Sequence, residues 1–166
     1  MKQIILGVDV GFAITGWAIL ESSSKINLLD YGAITTKSKL SIDERLNYLF
    51  DGIVEVINTY KPTDMAVESI FYFKNQKTVI DVGQARGVIL LAGCQNNLNI
   101  SHYTPLQVKM SITGYGRASK EQMQQMVKSI FGLKEIPKPD DVADAIAVAY
   151  CHSSSSKFYS NLNTKT

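Results

Sequence analysis

Histidine, cysteine and long apolar runs are scarce in this chain, and each scarcity removes a class of function. Two cysteines in 166 residues, Cys94 and Cys151, lie far apart and show no metal-type spacing. They exclude a zinc finger and a disulfide framework, and read as buried free thiols of a reducing compartment, the cytosol. The two histidines, His102 and His152, have no metal-type partners and read as structural. No apolar run is long enough to span a bilayer, and Met1-Lys-Gln leads at once into a strand-like segment, so neither a signal peptide nor an anchor is expected. Internal repeats are absent. Gly114-Tyr-Gly116 lacks the following Gly-Lys-Ser/Thr of a nucleotide-binding P-loop, although beside Lys120 it suits a phosphate at a helix N-terminus.

What remains is an ordinary globular composition, 45% hydrophobic and 19% charged, in a length that suits one domain with a real core. Its central stretch is Gln3-Ile-Ile-Leu-Gly-Val-Asp-Val-Gly11. This near-continuous aliphatic run lacks the alternation of a half-exposed strand, which predicts a central strand buried on both faces. It delivers one carboxylate, Asp9. Asp9 is either a turn residue leaving the strand or an acid whose pKa burial would raise. On this stretch alone both readings stand.

Trp17 to Leu20 and Ile26 to Thr36 read as the next two strands, with Gly32 as a candidate bulge, and the short spacing predicts an antiparallel meander. Ser41-Ile-Asp-Glu44 is a capping box. It opens a helix with Ile42, Leu46, Leu49, Phe50, Ile53, Ile57 and Tyr60 at helical period, ended by Lys61-Pro62. Thr63 to Ser69 is a short strand that ends in Glu68 as the first ends in Asp9. The aromatic run Phe71, Tyr72, Phe73 follows, then Lys74 and Asn75. A long helix is expected from about Gln76 to Gln95, a fifth strand over Asn99 to Tyr103, and further capping boxes at Thr104–Gln107 and Ser119–Gln122. A last helix is expected from Asp140 to about Cys151. The polar tail, 153–166, reads as disordered. The order predicts one α/β domain over 1–152, with a mixed five-stranded sheet, its first three strands antiparallel, and helices packed on it.

Asp141 and Asp144 sit three apart on that last helix and share a face. Ala143, Ala145, Ala147 and Ala149 leave little bulk between the helix and a sheet. The plain alternative is helix capping by Asp140 and Asp141, but Asp144 lies beyond any capping role. If the helix crosses the strand ends, Asp9, Glu68, Asp141 and Asp144 share one pocket and cannot all ionise unaided. Divalent ions remove that difficulty, and oxygen-only donors favour Mg²⁺ or Mn²⁺ over zinc. Two such ions are suited to an in-line phosphoryl displacement, so the constellation predicts a metal-dependent phosphodiesterase. Setting those four acids aside, eleven face 17 Lys and Arg, a balance of +6 that suits a polyanionic partner.

Gly7-Val-Asp-Val-Gly11 with Thr15-Gly16, Val67-Glu-Ser-Ile-Phe71 with Lys74-Asn75, Gly83-Gln-Ala-Arg-Gly87, Tyr103 to Lys109, Gly114 to Lys120, and Pro139 to Ala145 resemble the RuvC Holliday-junction resolvases in order and spacing. The resemblance spans roughly residues 3 to 152. It implies an RNase H-like fold with helices on both sheet faces. It also implies a cytoplasmic homodimer that nicks four-way DNA junctions symmetrically in recombination and repair, and the RuvA–RuvB branch-migration machinery as partner. By motif, Asp9, Glu68, Asp141 and Asp144 hold the ions, two Mg²⁺ (Mn²⁺ in their place) per site. Lys109 and Lys120 stand near the scissile phosphate, Asp140 is a cap, and Phe71 is the wedge at the junction centre. Lys74, Asn75, Arg86 and Arg117 join Lys109 and Lys120 as DNA contacts. Val10 and Phe12 depart from the family pattern, which has Pro after the first Asp and a small polar residue after the Gly.

The long helix over 76–95 runs apolar on more than one side and carries Gly83, Gly87 and Gly93. Three helical glycines predict close backbone approach, either to the sheet or at a dimer seam. Two other functions compete with the nuclease. One is a non-catalytic nucleic-acid-binding module of the same fold, against which the four acids and two lysines weigh. The other is a phosphotransferase of the actin and sugar-kinase kind, which needs a second lobe that 166 residues do not provide.

Overall fold

The computed structural model describes residues 2–69 and 76–163. Chain order is β1 (Gln3–Asp9), β2 (Ile14–Ser22), β3 (Ile26–Thr35), α1 (Ile42–Tyr60), β4 (Asp64–Glu68), α2 (Gln76–Gln95), β5 (Asn99–Tyr103), α3 (Pro105–Thr113), α4 (Lys120–Phe131) and α5 (Asp140–Asn163). The five strands form one sheet in the order β3-β2-β1-β4-β5. β1 to β3 pair antiparallel, while β1–β4 and β4–β5 are parallel. Phe71, Lys74 and Asn75, for which DNA contact is expected, lie outside the described residues.

β1 is central and buried on both sides, as its unbroken apolar run requires. Ile5 faces a core shared with α3, α4 and α5, and Leu6 and Val8 face a second core closed by α1 and α2. The mixed sheet therefore has helices on both faces. Three capping boxes form as their local sequence dictates. Ser41, Thr104 and Ser119 each accept from the backbone of the residue three further on, and Glu44, Gln107 and Gln122 reach back.

α5 lies across β1 and β2 with almost no side chain between. A Cβ built on Gly7 would overlap the Ala145 carbonyl and sit 2.6 Å from the Ala149 Cβ. One built on Gly16 would overlap the Asp141 carbonyl. Two glycines on the sheet and a run of alanines on the helix thus set the spacing, and Val142, Ile146 and Val148 are wholly buried around it.

Four details differ from the sequence reading. Gly32 is not the bulge. The register shifts at Ile19/Leu20 opposite Asp30 and Leu28, and a Cβ on Gly32 would meet the Trp17 ring at 2.8 Å. Gly32 is there to let the indole lie flat. Cys94 is exposed and only Cys151 is buried, because α2 turns that side outward. Among the described residues Gly83 and Gly87 approach nothing within 4 Å, so close approach to the sheet holds for Gly93 alone of the three, against Met65 and Ile100. α5 continues to Asn163, well past the expected end at Cys151. Ser153 explains part of this: its hydroxyl donates to Ser22 at 2.8 Å and ties the first polar turn to β2.

Candidate active site

Parallel pairing of β1 with β4 brings the first two acids together. Val8 is in register with Val67, so Asp9 and Glu68 leave adjacent strands one step further on, side by side. Period two in a strand turns both toward α5, since Gly7 contacts α5 and Ala66 belongs to the same core. Gly16, paired with Asp9, admits the backbone of Asp141. The first turns of α5 therefore carry Asp141 and Asp144 onto the strand ends.

Electrostatics report this convergence. Burial pushes the Asp9 carboxyl from 3.8 up to about 8, and the charges of Asp144, Glu68 and Asp141 push the same way, against a smaller pull from Lys120. Glu68 rises from 4.5 to about 6, through burial and then Asp144, with Lys109 opposing. Burial raises Asp144 too, although the bond and charge of Lys120 draw it back. Lys120 lies 3.1 Å from Asp144 and 3.7 Å from Asp140. Burial disfavours its ammonium, but these acids and Asp141 outweigh that and hold its pKa above the usual lysine value. A cleft of about 240 Å³ opens between Glu68, Lys109, Lys120 and Asp144, floored by Val108, Met123 and Val148.

The four acids share a field and not yet a closed shell. Among the described residues no three acidic, His or Cys side chains close on one metal position. The donor set nonetheless fits a hard divalent cation: carboxylate oxygens only, with a buried acid at their centre that takes a charge readily only if a positive charge arrives. Both histidines stand elsewhere. His152 is buried against Tyr103, and His102 bonds the Arg86 guanidinium at 2.9 Å.

Asp140 is less detached than a plain cap. It is half-exposed, pairs with Lys138 at 2.9 Å and lies within reach of Lys120, so it helps hold the lysine over the site. Arg117 is exposed on the loop before α4. Neither Arg117 nor Arg86 lines the acidic cleft.

Sequence reasoning missed the clamp on the turn after Asp9. Thr15 donates to the Gly11 carbonyl at 2.7 Å, and Thr36 to that of Phe12 at 2.7 Å. Arg45, from α1, donates to the Thr36 hydroxyl and the Phe12 carbonyl, with its guanidinium 3.9 Å from the centre of the Phe12 ring. Phe12, a departure from the family pattern, is thus the aromatic face on which Arg45 rests. Nothing in the spacing of Arg45 announces this, since its partner lies 33 residues away.

The sequence model described as "Crossover junction endodeoxyribonuclease RuvC" matches residues 5–152. The chain belongs to the RuvC family. A Halothermothrix orenii relative of that name is 54% identical over 98% of this chain and 99% of its own length. One from Caldicellulosiruptor saccharolyticus is 56% identical over 93% of this chain and 96% of its own. Among solved structures, Thermus thermophilus RuvC in complex with Holliday junction substrate superposes with a TM-score of 0.88 at 30% identity, over 94% of this chain and 96% of that one. The mixed sheet with helices on both faces is accordingly the RNase H-like fold of RuvC.

Proposed function

We infer that this chain is a crossover junction endodeoxyribonuclease, a metal-dependent phosphodiester hydrolase that resolves four-way DNA junctions in recombination and repair. The observation that carries the reading is the meeting of Asp9 and Glu68, on adjacent parallel strand ends, with Asp141 and Asp144 on a helix seated through Gly7 and Gly16. RuvC relatives more than half identical over nearly the whole chain support it.

In this proposal Asp9, Glu68, Asp141 and Asp144 hold two Mg²⁺ ions, for which Mn²⁺ can substitute. Bound there, the ions supply Lewis-acid polarisation of the phosphate and a more acidic attacking water. The chain's own residues do the rest. Lys109 and Lys120 present cations at the cleft mouth to a phosphate. The buried floor beneath them limits water. Phe71 wedges the junction centre, and Lys74, Asn75, Arg86 and Arg117 contact DNA. For Arg86 this requires its guanidinium to reach past His102.

The proposed assembly is a homodimer through α2. Ile80, Gly83, Gly87, Leu91 and Cys94 recur at helical spacing along one side of it, all exposed. Two sites related by that seam would nick two strands symmetrically. A cytoplasmic setting and delivery by the RuvA–RuvB machinery complete the proposal, with residues 1–152 as the nuclease unit. The test is incubation of purified protein and Mg²⁺ with a synthetic four-way junction and a matched linear duplex, with nucleotide turnover measured alongside. Paired nicks in the junction, an intact duplex and no nucleotide turnover are expected. An uncut junction that is nonetheless bound would leave only a binding module.

A further inference from the structure

The sheet face opposite the carboxylate site holds a second cleft, between β3 and α1, of about 610 Å³. Its wall is aromatic. Trp17 lies over Gly32, with its ring centre 5.9 Å from that of Tyr60, and Tyr48 stands more than half exposed at the rim. Its charge is of one sign. Asp51 and Glu55 are one helical turn apart on α1, and Asp30 faces them from β3, where its second oxygen accepts from the Tyr60 hydroxyl. None of these three acids is within ion-pair distance of a Lys, Arg or His among the described residues, in a chain that is net positive. Like charges at that helical spacing repel each other in the free helix. β3 is also a sheet edge with no outer neighbour among the described strands.

We propose that this cleft between β3 and α1 docks a basic linear segment of a protein partner, with an arginine or lysine set against the Trp17, Tyr48 and Tyr60 rings and paired with Asp30, Asp51 and Glu55. Aromatic faces attract a guanidinium or ammonium through the ring quadrupole, and carboxylates around the rim add charge-assisted hydrogen bonds. The same acids repel phosphate, which rules out nucleic acid as the occupant. Strand alternation puts Trp17 and Val8 on the α1 side and Asp9 on the α5 side. A partner in the cleft and DNA at the carboxylates therefore occupy opposite faces and can be held together. The inference does not depend on the nuclease reading.

Trp17 is the only tryptophan, so its emission reports on the cleft directly. A synthetic arginine-rich peptide, with its citrulline counterpart as the uncharged probe, is titrated into the full chain at moderate salt. The expected result is a saturable change in Trp17 emission with the arginine peptide and none with citrulline. Asp51→Asn with Glu55→Gln should weaken binding about tenfold. Asp43→Asn with Glu135→Gln, which removes equal charge outside the cleft, should change it less than about twofold, and both double variants should cut a four-way junction at the parent rate. No saturable change, or equal weakening by both double variants, would each overturn the proposal.

Discussion

α5 and α2 are both long helices that run apolar on more than one side, yet the fold uses them in opposite ways. α5 is consumed by the chain itself. Its Ala145 and Ala149 meet Gly7 on the sheet and its Asp141 backbone meets Gly16, α3 and α4 cover its back, and the residues from Val142 to Ala149 other than Asp144 are buried. α2 buries Ala85, Ile89 and Ala92 against the sheet and α1, but leaves Ile80 and Leu91 exposed, and Gly83 and Gly87 have nothing within 4 Å of a built Cβ among the described residues. A glycine on the sheet beside α5 is a spacing device within one chain. A glycine on the outer side of α2 meets no other side chain among the described residues, where it costs about 1 kcal/mol relative to alanine. The lesson is that a small-residue motif has no fixed meaning until the atoms facing it are known.

The largest effect should come from the carboxylate site that α5 completes. Asp9→Asn, Glu68→Gln, Asp141→Asn and Asp144→Asn, made singly, should each lower Mg²⁺-dependent junction cleavage at least about 1000-fold, about 4 kcal/mol of transition-state stabilisation. Circular dichroism should remain that of the parent. For Asp9→Asn the metal-free protein should also gain stability. A carboxyl raised from 3.8 to about 8 keeps, when folded, a proton that the unfolded chain releases, so stability is lost as pH rises through that window. The variant should match the parent below the lower value and outlast it increasingly toward pH 8, as read by denaturant unfolding with chelator. A pH-independent gap would remove burial and repulsion as the cause.

Next in size is the seat of the helix. Gly16→Ala places a Cβ on the Asp141 carbonyl, and overpacking of this kind costs about 1–3 kcal/mol. Cleavage should fall with it, since the helix must move to make room. Gly83→Ala is the matched change on α2. With nothing within 4 Å among the described residues, it should leave a dilute sample as stable or more stable by up to about 1 kcal/mol. If both substitutions destabilise alike, the contrast between the helices fails.

A smaller effect separates assembly from chemistry. Gly83→Leu should keep the fold and the Mg²⁺ response but sediment as a monomer and yield single nicks in place of paired ones. The smallest should be Asp140→Asn. Asn retains a hydrogen-bonding side chain but gives up the charge that helps hold Lys120, so a loss of a few-fold in cleavage, without loss of stability, is expected. A cleavage loss as deep as that of Asp141→Asn would put Asp140 among the ion-holding acids.

Elements governed by neighbours in sequence were legible from the residues alone. Ser41 and Glu44, Thr104 and Gln107, and Ser119 and Gln122 close their boxes within one turn, so three helix starts needed no tertiary information. β1 was legible because a strand buried on both sides must be apolar at every position, and the two acids ending β1 and β4 followed from it. Other features depended on atoms distant in sequence. Gly32 pointed to a bulge until Trp17 lay over it, and the exposure of Cys94 was set by which side of α2 found the sheet. The helical run past Cys151 rests in part on Ser22, 131 residues from Ser153. Lys120 over Asp144, Asp140 beside Lys120 and Arg45 on Phe12 are of the same kind. Short-range hydrogen bonds and periodicity are written into neighbouring residues, whereas burial, and with it the pKa of Asp9 and the partner of every glycine, is a property of whatever the rest of the chain places alongside.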